Sequence, residues 1–395
     1  FFQDGRSLEA NIIEANFTHA LIERRRDLQR FRIAINSLTE DNQAFIKNNF
    51  TPSHQALPKF KKPLNEKDLL SHSRYIDTLI ERKLRSYNLQ PNKEAEDEVF
   101  LRRTYLKIIG RTPSLLEVKG FEENRSKNKR RELIDSLLGS EGYVSHWFNF
   151  WADILRIKDR LNNRVSGIPY KNYVKKFVSN NQPYDEWVRE LLSSSGPLWK
   201  EGSEGVSYFA RDVNMPLDNM SNTVRIFLGT SLECAQCHDH PFDRWTQKQF
   251  YEMAAFTSGS TNLRRKNVPN LGKFNQLVRE EQKRLEQEGD PNKSRRLRDA
   301  SRSVQDILQT GLDSLGSGKI NLPKDYQYDN AKPNEQLSGK TIFGLDVEIK
   351  TKAPESGTRE IYANWLASES NPRFTAVIVN RLWKEVFGLA LIEPL

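Results

Sequence analysis

The sequence predicts a mainly α-helical fold: a multi-helix domain carrying a C-x-x-C-H helix, with a small β element near residues 341–351 and long exposed helices. Three observations predict it. Apolar residues recur at three- and four-residue spacing through most of residues 73–262. A hydrophobic share of 37% and a mean hydropathy of −0.72 are low for a compact globule, whereas 10% aromatic residues and seven Trp are too many for a disordered chain. The 61 basic and 52 acidic residues are interleaved, as solvated helix faces require. The resulting net charge of +9 therefore gives little support to a nucleic-acid partner, which composition alone would otherwise suggest.

The first unit, residues 1–72, reads as a long helix followed by a Pro-rich linker. Phe17, Leu21, Leu28, Phe31, Ile35 and Leu38 follow a 4-3-4-3 spacing, with Arg24 in the one missing slot. This pattern predicts a helix over about 10–47 that docks on its own domain or on a partner. Residues 49–65, "NFTPSHQALPKFKKPLN", carry three prolines and no period, so they read as linker.

The second unit, 73–262, is a run of helices. "SRYIDTLIERKLRSYNL", "EAEDEVFLRRTYLKIIG" stopping at Gly110, "PSLLEVKGF", "NKRRELIDSLLGS" stopping at Gly139 and "YVSHWFNFWADILRI" follow one another. In the last of these, Trp147, Trp151 and Ile154 recur at helical spacing beside Phe148, Phe150 and Leu155, which reads as core. Pro183 opens "PYDEWVRELLSSSG", and the stretch up to Met220 reads as irregular. "SNTVRIFLGTSLECAQCHD" resumes a helical pattern that Pro241 ends. Thr246 and Gln249 match a capping box and restart a helix through "WTQKQFYEMAAF".

Residues 263–318 form a polar, charged helical insertion, with "QLVREEQKRLEQEG" and "SRSVQDILQTGLDSL" as solvated helices. Together with the N-terminal helix it offers surfaces for protein partners. It lacks the aromatic interleaving of a single-strand binder. The last unit, 319–395, contains the best strand pattern of the chain, "KTIFGLDVEIKT", and two helical patterns, "REIYANWLAS" and "PRFTAVIVNRLWKEVFGLAL". A start at Phe1 without Met suggests a trimmed product, and an end at Leu395 without a stop signal suggests a C-terminal domain cut short. No run reaches the roughly 18–20 apolar residues of a membrane span.

The chemistry concentrates in "SLECAQCHDHPFDRW", residues 231–245, which holds both cysteines of the chain and two of its six histidines. Two cysteines exclude a disulfide framework. Cys234, Cys237 and His238 form C-x-x-C-H, the attachment pattern of haem c. On a helix, positions i, i+3 and i+4 share a face, so two thiols can form thioethers with haem while His238 reaches the iron as proximal ligand. Zinc is the first rival, with His240 as a further ligand, although no second ligand pair follows across a loop. A redox dithiol is the next, although no thioredoxin-like βαβ pattern surrounds it, and a structural disulfide or free thiols remain. His240, Asp243, Arg244 and Trp245 either line the haem or close the turn. Met220 is the first candidate for a distal ligand, ahead of Met253, Met215 and the other histidines, His19, His54, His72 and His146. A ligand there favours electron transfer, and an open position favours small-ligand chemistry.

"FLGTSLECAQCHDHPFDRWTQKQFYEMAAF" resembles the planctomycete cytochrome-C-like domain, a family of unknown function in Planctomycetes and Verrucomicrobia. The upstream blocks from "IDTLIERKLRSYNLQPN" to "PYDEWVRELLSSSG" follow the family's order. "LPKDYQYDNAKPNEQL" and "NPRFTAVIVNRLWKEVFGLALIEPL" are similar to the junction with, and opening of, the planctomycete-specific C-terminal domain. The resemblance implies an exported, extracytoplasmic haem c protein, with Cys234 and Cys237 as attachment residues and His238 as axial ligand. Its function would be electron transfer or haem-based oxidoreduction within a larger assembly. The alternative is a structural or interaction protein whose C-A-Q-C-H-D-H cluster binds zinc or another metal, or forms a disulfide.

Overall fold

A sheet, not a helix, forms the N-terminal segment. The computed structural model describes residues 3–15, 19–27, 29–49, 66–161, 165–212, 215–261, 268, 270–314, 318–343, 347, 357–368 and 371–393. Strands β1 (Ala10–Ala15), β2 (His19–Arg24) and β3 (Arg30–Ala34) pair antiparallel in sequence order. The register stacks Ile12, Ile22 and Phe31 across the three strands. Ile22, Ala20, Ile35 and Leu38 are buried, with Ile12, Phe31 and Ile33 packed against them. The predicted helix over 10–47 is thus corrected to a sheet followed by α1 (Glu40–Asn49). The heptad-like spacing of Phe31, Ile35 and Leu38 hid an alternation of apolar residues at period two, Ala20 with Ile22 and Phe31 with Ile33. A turn closed by the Arg24–Asp27 ion pair interrupts the supposed helix where it needed continuity. Phe17 and Leu28 lie outside the described residues.

The chain divides into two compact units, Phe1–Ser145 and His146–Leu395. The first also holds α2 (Glu66–Ser86), α3 (Asp97–Ile109), α4 (Leu115–Glu123) and α5 (Lys129–Leu138). Leu101, Tyr105, Phe121 and Leu137 form the small core of α3, α4 and α5. Gly110 ends α3 in the left-handed conformation, as its stop signal suggests, and Ser114 with Glu117 caps α4 by a reciprocal box that the sequence reading did not single out. Arg111 grips the Glu117 carboxylate with both Nη atoms, at 2.8 and 2.6 Å. Burial works to raise the Glu117 pKa, but that grip and the Ser114 N–H overcome it and hold the pKa at about 2.

The division falls within α6 (Glu141–Ile154). The second unit continues through α7 (Ile168–Ser179) and α8 (Tyr184–Ser193). Trp187 of α8 is fully buried, with Phe177 stacked on it at 3.9 Å and Trp151 edge-on at 5.2 Å. The aromatic residues of "YVSHWFNFWADILRI" thus lead into a core, as their spacing predicts. Strand β4 (Gly196–Pro197) and the short α9 (Ser207–Ala210) lead to α10 (Pro216–Leu228), so the supposedly irregular segment already contains the helix that carries Met220. Buried Arg211 pairs with Asp212 at 2.5 Å.

Gly229 stops α10 at φ +59°, and a Cβ there would meet Cγ2 of Val377 at 2.8 Å. After it come α11 (Gln247–Ala254), β5 (Ser260–Thr261), the helical pair α12 (Leu271–Gln287) and α13 (Pro291–Gln309), and β6 (Gly311–Ser314), which pairs with both β4 and β5. The hairpin β7 (Lys319–Asn321) and β8 (Gln336–Ser338), then α14 (Thr358–Leu366) and α15 (Pro372–Phe387), complete the described elements. The strand expected at 341–351 is not formed by its described residues. Thr341 bonds Val347 through both its N–H and its Oγ1, closing a loop where a ladder was expected; the remainder lies outside the described residues. No helix among the described residues is long and apolar enough to cross a membrane.

Candidate functional site

The C-x-x-C-H motif sits on a loop rather than on a helix. Gly229 ends α10 five residues before Cys234, and only a 3-10 turn, Glu233–Gln236, follows. The predicted common face survives as one turn: the Cys234 carbonyl accepts the N–H of Cys237 at 3.3 Å and that of His238 at 3.4 Å. Ala235 between them is buried and anchors the turn, while Cys234, Cys237 and His238 are exposed. Both thiols are free.

His238 is oriented by its neighbour. Its Nδ1 lies 2.7 Å from the Asp239 carbonyl oxygen, which can only accept, so Nδ1 is the donor and Nε2 is the nitrogen left for a metal. Asp239 is in turn fixed from two further directions. Its N–H donates to the Tyr328 hydroxyl at 2.7 Å, and its Oδ1 accepts the N–H of Gln247 at 2.8 Å at the start of α11. The Gln247 side chain, itself buried, donates to the Gln236 carbonyl at 3.1 Å. The capping box of Thr246 and Gln249 forms as its sequence signature predicts and sets where α11 begins.

The remaining candidates divide. Trp245 is buried and packs edge-on against Phe343 at 5.3 Å, so it faces the protein, with Arg244 over its ring at 4.8 Å. Asp243 is exposed and accepts the adjacent Arg244 N–H at 2.7 Å, while the His240 N–H closes the turn on the Trp245 carbonyl at 2.8 Å. His240 accepts the Phe242 N–H on Nδ1 at 3.2 Å. Phe242 itself is 93% exposed, the most exposed large apolar side chain among the described residues. Met220 is wholly buried on α10, about two turns, or roughly 12 Å along the axis, from the end that leads to the motif. Among the described residues no three of His, Cys, Asp and Glu come together as a metal-binding group, so Cys234, Cys237, His238 and His240 do not form the zinc set weighed above.

Residues 75–262 match the family model PSCyt2, protein of unknown function (DUF1549), and residues 358–395 match PSD1, protein of unknown function (DUF1553). The chain carries a cytochrome-C-like PSCyt2 domain followed by PSD1 sequence. No curated protein and no solved structure matches it.

The PSCyt2 match ends at residue 262, yet residues beyond it complete the site. Tyr328 holds Asp239, Lys248 donates to the Asn330 carbonyl at 3.1 Å, and Phe343 packs on Trp245. Tyr251 stands beside Cys237, and burial, with that thiol next, pushes its phenol pKa upward. Asp239, Gln247, Tyr251 and Tyr328 were missed by sequence reasoning. Asp239 alone carried a signal, as the residue directly after the motif; the tyrosine is 89 positions away from it, and no local pattern links the two.

Proposed function

We propose that this chain is an exported c-type haem protein in which Cys234 and Cys237 carry the thioether bonds and His238, through Nε2, is the axial ligand. The observation that carries the reading is the Nδ1 bond of His238 to the Asp239 carbonyl beside two exposed, free thiols. A carbonyl partner on the second ring nitrogen is how proteins fix a ligating imidazole. The exposed Phe242 ring adds an apolar surface near the motif that suits a macrocycle. When bound, haem supplies one-electron or small-ligand iron chemistry, and the protein supplies its orientation and surroundings. Covalent attachment at C-x-x-C-H and the cytochrome-C-like family together favour an extracytoplasmic location.

Met220 serves this reading poorly as distal ligand, because a sealed core separates its thioether from the exposed His238. Electron transfer and haem-based oxidoreduction within a larger assembly both remain within this reading, since a distal ligand would have to come from a residue other than Met220. Arg244 remains exposed and able to meet haem carboxylates. The test is a pyridine haemochrome spectrum of protein made with a haem c maturation system. The spectrum of two saturated vinyl groups is expected, lost in the Cys234→Ala, Cys237→Ala double variant. Met220→Ala should leave the axial-ligand spectrum unchanged, and a change would restore Met220 as ligand.

A further inference from the structure

A cleft of about 590 Å³ in the second unit is lined by Arg156, Arg225, Arg381, His146, Asp153 and Glu385, among others. Three guanidinium groups on one cleft need an explanation, because like charges gathered without matching partners cost free energy. Arg225 has an exposed, loose pairing with Glu233 at 3.8 Å and a bond to Asn222 at 3.0 Å. Among the described residues, Arg156 and Arg381 have no carboxylate partner at all.

Arg381 is fixed in place. It donates to the carbonyls of Ile226 and of Arg225, the latter at 3.4 Å, at the end of α10. Burial pulls its pKa below the usual arginine value; Tyr184 opposes that shift and the neighbouring Arg225 adds to it. Arg156 is held at a backbone cost. It sits at φ +55° two residues past the end of α6, with the Ile157 N–H bonded to the Ala152 carbonyl at 2.9 Å, the helix-end position glycine normally fills. An L-residue there costs about 1–2 kcal/mol. Such strain is characteristic of functional positions, and here it places an unpaired guanidinium at the cleft.

We propose that this cleft binds a small organic anion with a carboxylate or phosphate head, received by Arg156 and Arg225 on the fixed base of Arg381. Planar guanidinium forks match both head groups. Asp153 on the same wall selects a ligand that also offers hydroxyl or ammonium donors and opposes dense polyanions. Arg156 and Arg225 come from the PSCyt2 stretch and Arg381 from the PSD1 stretch, so the site exists only where the two sequences meet.

Three probes with one hydroxylated skeleton test it on the full chain by titration calorimetry: glycerate, glycerol 3-phosphate and neutral glycerol. Binding of at least one anion, none of glycerol, and a loss of tenfold or more in each of Arg156→Gln and Arg225→Gln are expected, with thermal unfolding showing that both variants remain folded. The preferred anion identifies the head group. Failure of both anions to bind, or binding that neither variant weakens, would overturn the proposal.

Discussion

The aromatic core around Trp187 and the C-x-x-C-H loop lie in the same unit and are held in opposite ways. Trp187, Val188, Leu191 and Leu192 are completely buried, and Phe177 and Trp151 close on the indole from two sides. The loop exposes both thiols and His238 and is positioned by a few hydrogen bonds: two from Gln247, one to Tyr328 and one from His238 to its neighbour Asp239. The difference teaches where free energy and chemistry are kept: burial stabilises the scaffold, while a few polar contacts aim reactive groups that must stay accessible.

The comparison is broken most strongly at the core. Trp187→Ala should cost about 3–5 kcal/mol, read as a lower denaturation midpoint, because a stacked indole leaves a cavity its neighbours cannot fill. Gly229 joins the two regions, since it ends α10 and begins the path to the motif. Gly229→Ala should cost about 1–2 kcal/mol from its left-handed backbone, with a further loss unless Val377 moves away from the new Cβ. A smaller effect is expected at the loop itself. Tyr328→Phe leaves the Asp239 N–H without its acceptor and should cost about 1 kcal/mol. Its sharper signature is a shift in the His238 imidazole nitrogen resonances, which a purely structural tyrosine would leave in place. Phe242→Ser should change stability by less than about 0.5 kcal/mol, since the ring is already in water.

The first unit provides a control by pH. Glu117 is held at about 2 in the folded protein, below its ordinary value of 4.5. A carboxyl depressed in this way stabilises the fold fully above its unfolded pKa and loses that contribution as pH falls from about 4.5 through about 2. Glu117→Gln should therefore flatten the acid limb of that unit's unfolding curve and leave the Trp187 core unaffected. An unchanged acid limb would show that the Arg111 grip contributes nothing to stability.

The sequence was most legible where one period and one stop signal coincided. Helices α3, α5 and α8 were read from apolar spacing bounded by Gly110, Gly139 and Pro183, α4 from spacing alone, and α11 from its capping box. It misled where two periods overlapped, as at Phe31, Ile35 and Leu38, whose helical spacing concealed strand pairing with distant partners. It also misled at "SLECAQCHD", where the helical pattern was carried across Gly229 although glycine is the residue that stops a helix in the left-handed conformation. The ligating chemistry was legible from Cys234, Cys237 and His238 alone. The groups that aim it were not, because Tyr328 and Phe343 come from segments with no sequence relation to the motif.

The most direct test of the central claim is mass spectrometry of the peptide spanning Cys234 to His238, taken from protein isolated from its native host. Haem attached through both cysteines adds the mass of one haem to that peptide, and this is the predicted result. A native peptide with free or disulfide-linked cysteines and no added haem mass would contradict the account.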